Sequence, residues 1–447
     1  MKRHVLSLLG PLLIVGIRPF GLTLSQSVLL GALVMTIIWW TTNWVDKTYA
    51  SLFLIGVFLL FGSVSYRTVF TFPLSSNFVL IVFSFIFSQG IANSRLTDKL
   101  IQPVLARHVT TLWRLMVMIF ALQFAMIFII PQPFSRIILI ALLFKEFFEK
   151  SEMAERAKET LLFWVYGSTV FVNMTMVRGD IILNNALMGI ANYSIDAGTW
   201  STYMAVPSLL LYLLSATGFV VVFRKTLLRI DITSGGMDVD ERHVLDKQDK
   251  IRLAIILGTV GMWSFEWLHG LSGTKVVMGG TALMFAVKLL RFKDLKSVNV
   301  SLMIFLTAAF SIGGVLKESG TSDALLAQFL PLFPGTFNYQ FIGIVLFTST
   351  VLHMVLGSII TTFSVVLPVM MVVGHGLVPS EILLFMIYVM ISGHFVLPFH
   401  NVILVIGNGN RHFLADLMLK YAPFLTGAVL FSILFVYLNW WRMIGAL

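Results

Sequence analysis

The chain has 447 residues, of which 58% are hydrophobic and only 12% charged, and a net charge of +10. A water-soluble chain carries about a quarter charged residues, so the composition excludes water as its main solvent. Nucleic acid is excluded as a partner because Lys and Arg are scattered over short connections between apolar runs and form no basic face, while the absence of cysteine excludes disulfides and thiolate metal sites.

Met1 to His4 followed by apolar Val5 to Ile17 has the profile of a signal peptide. Arg18, Pro19 and Phe20 stand where a small-residue cleavage site would be, so residues 1–26 are predicted to hold a retained first helix. Further apolar runs begin near residues 27, 50, 77, 113, 134, 161 and 203, and then near 251, 274, 299, 340, 360, 382 and 421. Several approach the roughly 20 residues that a helix needs to cross a bilayer. They are apolar on every face, whereas barrel strands alternate. The predicted fold class is an all-α polytopic membrane protein. The one long polar stretch, 224–250, is rich in Asp, Lys and Gly and divides the chain into 27–223 and 251–447.

The two halves resemble each other. Trp40 and Trp44 recur as Trp263 and Trp267, Gly56 as Gly279, and Phe87, Ser88 and Gly90 as Phe310, Ser311 and Gly313, all at one offset. Glu159-Thr-Leu-Leu-Phe-Trp-Val-Tyr166 then recurs as Glu381-Ile-Leu-Leu-Phe-Met-Ile-Tyr388. Matches in one order at nearly one spacing indicate duplication. If 113–148 and 340–376 are re-entrant hairpins, each repeat makes five crossings and its copy is inverted. That choice puts most of the 31 Lys and Arg on the side of the N-terminus, as the positive-inside rule requires. The expected topology is about 11 transmembrane helices plus two hairpins, with the N-terminus and the 224–250 linker cytoplasmic and the chain in the plasma membrane of a prokaryote. The alternative is two ordinary spans joined by a proline turn.

Interrupted backbone inside a bilayer has to line a wet cavity or be buried in protein, so the breaks mark candidate sites. The first hairpin turns at Pro131-Gln132-Pro133-Phe134-Ser135-Arg136, and the second at Gly357-Ser358 through Thr361, Thr362 and Ser364. Their half-helix N-termini favour an anion. Two broken helices are expected at about 161–190 and 382–406. They bring Asn173, Thr175, Arg178 and Asp180 from one repeat and His394, His400 and Asn401 from the other. Arg178 aligns with His400, so a cationic or protonatable group stands at both symmetry-related positions. The candidate substrate set is Gln132, Ser135, Arg136, Asn173, Thr175, Arg178, Ser358, Thr361, Thr362, Ser364, His400 and Asn401. Candidate coupling groups are Asp180, His394 and His400. Arg178 and Asp180 have a second reading as a surface loop pair, and Arg136 as a snorkelling side chain. His353 is read as a packed residue, and the tryptophan pairs at 39, 40 and 440, 441 as interfacial anchors.

The Trp-containing second helix, the Phe-Ser-x-x-Gly helix before Ser94-Arg-Leu-Thr-Asp98, its repeat Ser319-Gly-Thr-Ser-Asp323, the hairpins and Gly407-Asn408-Gly409 together resemble the divalent anion:sodium symporter family of the ion transporter superfamily. The resemblance implies a homodimeric, inverted-repeat, elevator-type carrier of dicarboxylates, citrate or sulfate, with sodium as the possible bound ion and no other cofactor. Family members bear Ser-Asn-Thr at each hairpin tip. Here the second tip reads Ser358-Ile359-Ile360 and the first keeps none of the motif. Fixed cations, Arg178 with Arg136, are therefore expected to replace sodium, with a proton taken by His400, His394 or Asp180. The competing readings are an exporter of another oxyanion or a lipid-linked precursor, a passive channel, and a membrane-embedded enzyme; no His-Glu-x-x-His or Gly-x-Ser-x-Gly motif is present.

Overall fold

The computed structural model describes residues 2–42, 44–94, 104–105, 107–130, 132–149, 151, 153–227, 246–264, 266–321, 323–324, 331, 333–397 and 400–447. Pro131, Pro398, Phe399, Ser322, residues 95–98 and most of the predicted linker lie outside them. Among the described residues the chain is helical and has no strand.

The first half runs through α1 (Lys2–Ile17), α2 (Leu24–Thr42), α3 (Lys47–Phe61), α4 (Ser76–Ser94), α5 (Leu112–Ile129), α6 (Pro133–Glu149), α7 (Glu155–Met174), α8 (Leu183–Ala191) and α9 (Ala197–Val222). The second half repeats much of this order with α10 (Lys247–Ser264), α11 (Gly273–Ala286), α12 (Val300–Glu318), α13 (Tyr339–Leu356), α14 (Ile359–Val373), α15 (Ser380–Gly393), α16 (Val402–Gly409) and α17 (Ala415–Phe431). A π-helical turn, Ser432–Tyr437, continues α17 to Met443. Among the described residues, five spans are long and apolar enough to cross a membrane: α4, α5, α9, α12 and Ala415–Met443. Others, such as α3 and α14, are apolar but shorter.

The expected hairpin at 113–148 corresponds to α5 and α6, and that at 340–376 to α13 and α14. The expected broken helices correspond to α7 with α8 and α15 with α16. The described end of the linker is helical from Lys247, and the last span starts at Ala415, earlier than 421. Two tryptophans serve otherwise than as interfacial anchors. Trp40 is buried and donates to Ser51 Oγ at 3.1 Å, and Trp441 is buried and donates to the Tyr203 carbonyl at 3.0 Å. An indole N–H is buried where a partner is fixed for it, and the neighbouring helices supply one in each case.

Two groups of helices can be followed, joined through α12. In one, α3 lies against α2 and α12, and the Thr48 and Ser301 hydroxyls meet at 2.5 Å. In the other, α7 is surrounded by α5, α6 and α9, and α15 by α13, α14 and α17. Buried Phe163, Trp164, Phe219 and Tyr421 form an aromatic core between α7, α9 and α17. Contacts between α8 and α12 and between α12 and α14 join the two groups.

Candidate functional site

Between α7 and α8 the helix stops for residues 175–182, with Met176 extended and a 3-10 turn over Val177–Asp180. Each break strands carbonyls and amides that hydrocarbon cannot satisfy, and here side chains take them. Trp200 donates to the Met174 carbonyl at 3.0 Å, while Asn184 donates to those of Met176 and Val177 at 3.3 and 3.0 Å. Asp180 Oδ1 accepts from the amides of Ile182 and Leu183 at 3.1 and 2.9 Å, which caps α8. Gly179 packs so tightly that a Cβ there would stand 2.0 Å from the Asn173 carbonyl oxygen.

Arg136 ties this break to the first hairpin tip. Its guanidinium, 1% exposed, donates to the Ile130 carbonyl at 2.9 Å, to Asn173 Oδ1 at 2.8 Å and to the Gly179 carbonyl. Asp180 lies within its electrostatic reach. At the tip itself, Gln132 Oε1 accepts from the Ser135 amide and so caps α6.

The second half solves the same problem with neutral groups. Between α15 and α16, His400 Nδ1 accepts from the amides of Val396 and Leu397 at 3.1 and 3.2 Å, and Asn401 Oδ1 accepts from Ile403 at 2.9 Å. An imidazole nitrogen that accepts carries no proton, so neutral His400 is the Nε2–H tautomer. The second hairpin turns through Gly357, whose φ of 65° suits glycine, to Ser358, whose side chain does not cap α14. Thr362 Oγ1 donates its one proton to the Ser358 carbonyl at 2.8 Å and therefore accepts from His353 Nδ1 at 3.2 Å. His353, His394 and His400 are all buried, with the His353 ring centroid 5.3 Å from His400 and 6.4 Å from His394.

A cavity of about 440 Å³ collects both hairpin tips and both breaks. Phe134 comes from the first tip and Ser358, Ile359 and Ile360 from the second; Asn173 and Asp180 come from one break and His400 and Asn401 from the other. Its volume falls within the roughly 300–1,000 Å³ typical of small-molecule sites. A further wall is made by Lys47 of α3 and by Asn299, Ser301, Leu302 and Phe305 at the start of α12, two helices that pack on each other. The citrate transporter family (CitMHS) matches residues 37–359, which include the first tip, the first break and the Lys47 wall. The chain belongs to the citrate transporter family.

That family is one of transporters rather than enzymes, and it falls in the ion transporter group to which the divalent anion:sodium symporters also belong. No curated protein matches the chain. Five of the residues singled out from sequence line the cavity: Asn173, Asp180, Ser358, His400 and Asn401. Gln132, Ser135, Arg136, Thr175, Arg178, Thr361, Thr362, Ser364 and His394 are not among its lining residues. Thr175 and Ser364 return their hydroxyls to carbonyls of their own helices. Arg178 turns away from the cavity: it donates to the Trp263 carbonyl and lies over the Trp263 indole, 5.0 Å from the ring centroid.

Lys47, Tyr388 and Ser392 also line the cavity, and sequence reasoning does not single them out. Lys47 had a signal, as a lysine immediately before the apolar run of α3. Membrane-flanking lysines are common, so position in sequence did not set it apart.

Proposed function

We propose that this citrate transporter family member is a secondary-active carrier of small multivalent carboxylates, di- or tricarboxylates of citrate's size. The observation that carries the reading is the convergence of both hairpin tips and both helix breaks on one cavity. Interrupted helices expose amide ends that suit an anion. The first of these ends, α8, is already capped by the Asp180 carboxylate, whereas α14 is uncapped by its Ser358 side chain and α16 is capped by neutral Asn401. Substrate carboxylate is therefore expected at the second tip and second break.

The inverted-repeat, elevator-type mechanism is supported by the packing. The hairpins and broken helices cluster together, and α3 packs on α12, which supplies another part of the cavity lining and meets the cluster at α8 and α14. In such a carrier the cluster moves against the wall with its substrate. Cross-contacts fit the topology with a cytoplasmic N-terminus: Thr48–Ser301, Asn93–Asp294 and Arg156–Asp416 join loops assigned to the cytoplasmic face. Gln26–Ser319, Thr68–Glu318 and Tyr193–Glu381 join loops assigned to the other.

Protons are the coupling ion we favour, since the sodium-binding tip motif is missing and three imidazoles cluster beside the cavity. The test is counterflow of labelled citrate in proteoliposomes, with sodium replaced by potassium and with a pH gradient of either sign. Saturable counterflow, insensitive to sodium and accelerated by an inward proton gradient, is expected. Absence of saturable flux for citrate and for succinate alike would overturn the carrier reading.

A further inference from the structure

The structure assigns Lys47 as the substrate-recognising cation of the fixed wall, which pairs with a carboxylate of the bound anion in this access state only. The inference rests on the carrier reading and adds a residue from the other side of the cavity. Lys47 begins α3, directly after the N-cap residue Asp46, and lines the cavity. The Asp46 carboxylate is engaged at the helix end, where it accepts from the Thr48 amide at 2.8 Å, and among the described residues no carboxylate forms an ion pair with Lys47. A partly buried ammonium that faces a cavity and forms no ion pair is an arrangement that an anionic ligand would complete.

Its position is held rigidly. The ammonium stands 5.9 Å from the centre of the Phe305 ring, and Phe305 meets buried Trp40 edge-on at 4.8 Å. The Thr48–Ser301 hydroxyl contact and the Asn299 cap on the Leu302 amide fix α3 against the start of α12. Lys47 therefore belongs to the wall, while Ser358, His400 and Asn401 belong to the hairpin and broken-helix cluster. A substrate between them touches both groups of helices, and movement of the cluster separates it from Lys47. The consequence is asymmetric: Lys47 strengthens binding from the face where α3 begins and leaves affinity from the opposite face nearly untouched.

The experiment measures citrate binding to detergent-purified protein and citrate KM in oriented proteoliposomes, for wild type, Lys47→Gln and Lys47→Arg. Loss of one charge-assisted contact predicts that K47Q binds citrate about 10- to 100-fold more weakly, with KM raised at the α3 face only. K47R is expected to recover most of the affinity, which a merely structural role would not give, and ligand-free melting temperatures should agree among the three. K47Q binding as tightly as wild type, or K47R as weak as K47Q, would overturn the Lys47 assignment while leaving the carrier reading intact. A wild type that neither binds nor carries citrate or succinate would overturn both. If K47Q fails to fold, K47R alone decides: melting like wild type with near-wild-type affinity supports the assignment, and melting like wild type with affinity lost overturns it.

Discussion

Replacing Arg136 by Met tests how the first break is held. The substitution removes a guanidinium that serves three oxygens at once, those of Ile130, Asn173 and Gly179, in a place that is 1% exposed. A stranded buried acceptor costs about 1–3 kcal/mol. Asn173 lines the cavity and regains water, but the Ile130 carbonyl is fully buried. Asp180 also loses its cationic neighbour. Breaking one partner out of a buried ionic arrangement costs about 3–5 kcal/mol, and we take that as the expected loss. With an unfolding entropy of roughly 2.1 cal/mol/K per residue, the 447-residue chain should melt about 3–5 °C lower. The assay is thermal unfolding of R136M, D180N and the double variant in one detergent. Asn at position 180 keeps the Oδ1 that caps α8, so D180N removes only charge. If a lone carboxylate causes part of the loss, the double variant melts no lower than R136M. An R136M protein that melts with wild type, or strictly additive losses, would refute the account.

Gly179→Ala should abolish folding or transport, because its Cβ would collide with the Asn173 carbonyl at 2.0 Å, whereas Gly167→Ala, whose nearest neighbour is 3.5 Å away, should behave like wild type; expression and counterflow decide. Since the native chain has no cysteine, single cysteines report access cleanly. Ser358→Cys and Asn401→Cys, which line the cavity, should react with an impermeant thiol reagent from the α3 face and be protected by citrate, whereas Thr361→Cys, fully buried and outside the lining, should not react. Asp196 caps α9 outside the membrane, and the Thr199 hydroxyl together with the Thr199 and Gly198 amides holds its carboxyl below the usual value. Its stabilisation is present above about pH 4 and is lost as pH falls through the lowered value. D196A should therefore cost about 1 kcal/mol at neutral pH, and its melting gap to wild type should narrow on acidification.

The helical membrane fold was legible in the sequence. It follows from a local property, the length of apolar runs against bilayer thickness. The partners of individual side chains were not legible. Arg136 and Arg178 look alike as cations at membrane depth, yet tertiary packing clamps Arg136 onto three oxygens and turns Arg178 onto Trp263. Lys47 reads as an ordinary flanking lysine until α3 and α12 set it across a cavity from the second hairpin. Sequence spacing dictates which face of a helix a residue takes. Which oxygen or ring completes an ionic group is decided between helices far apart in the chain, by which contacts lower the cost of burying its charge.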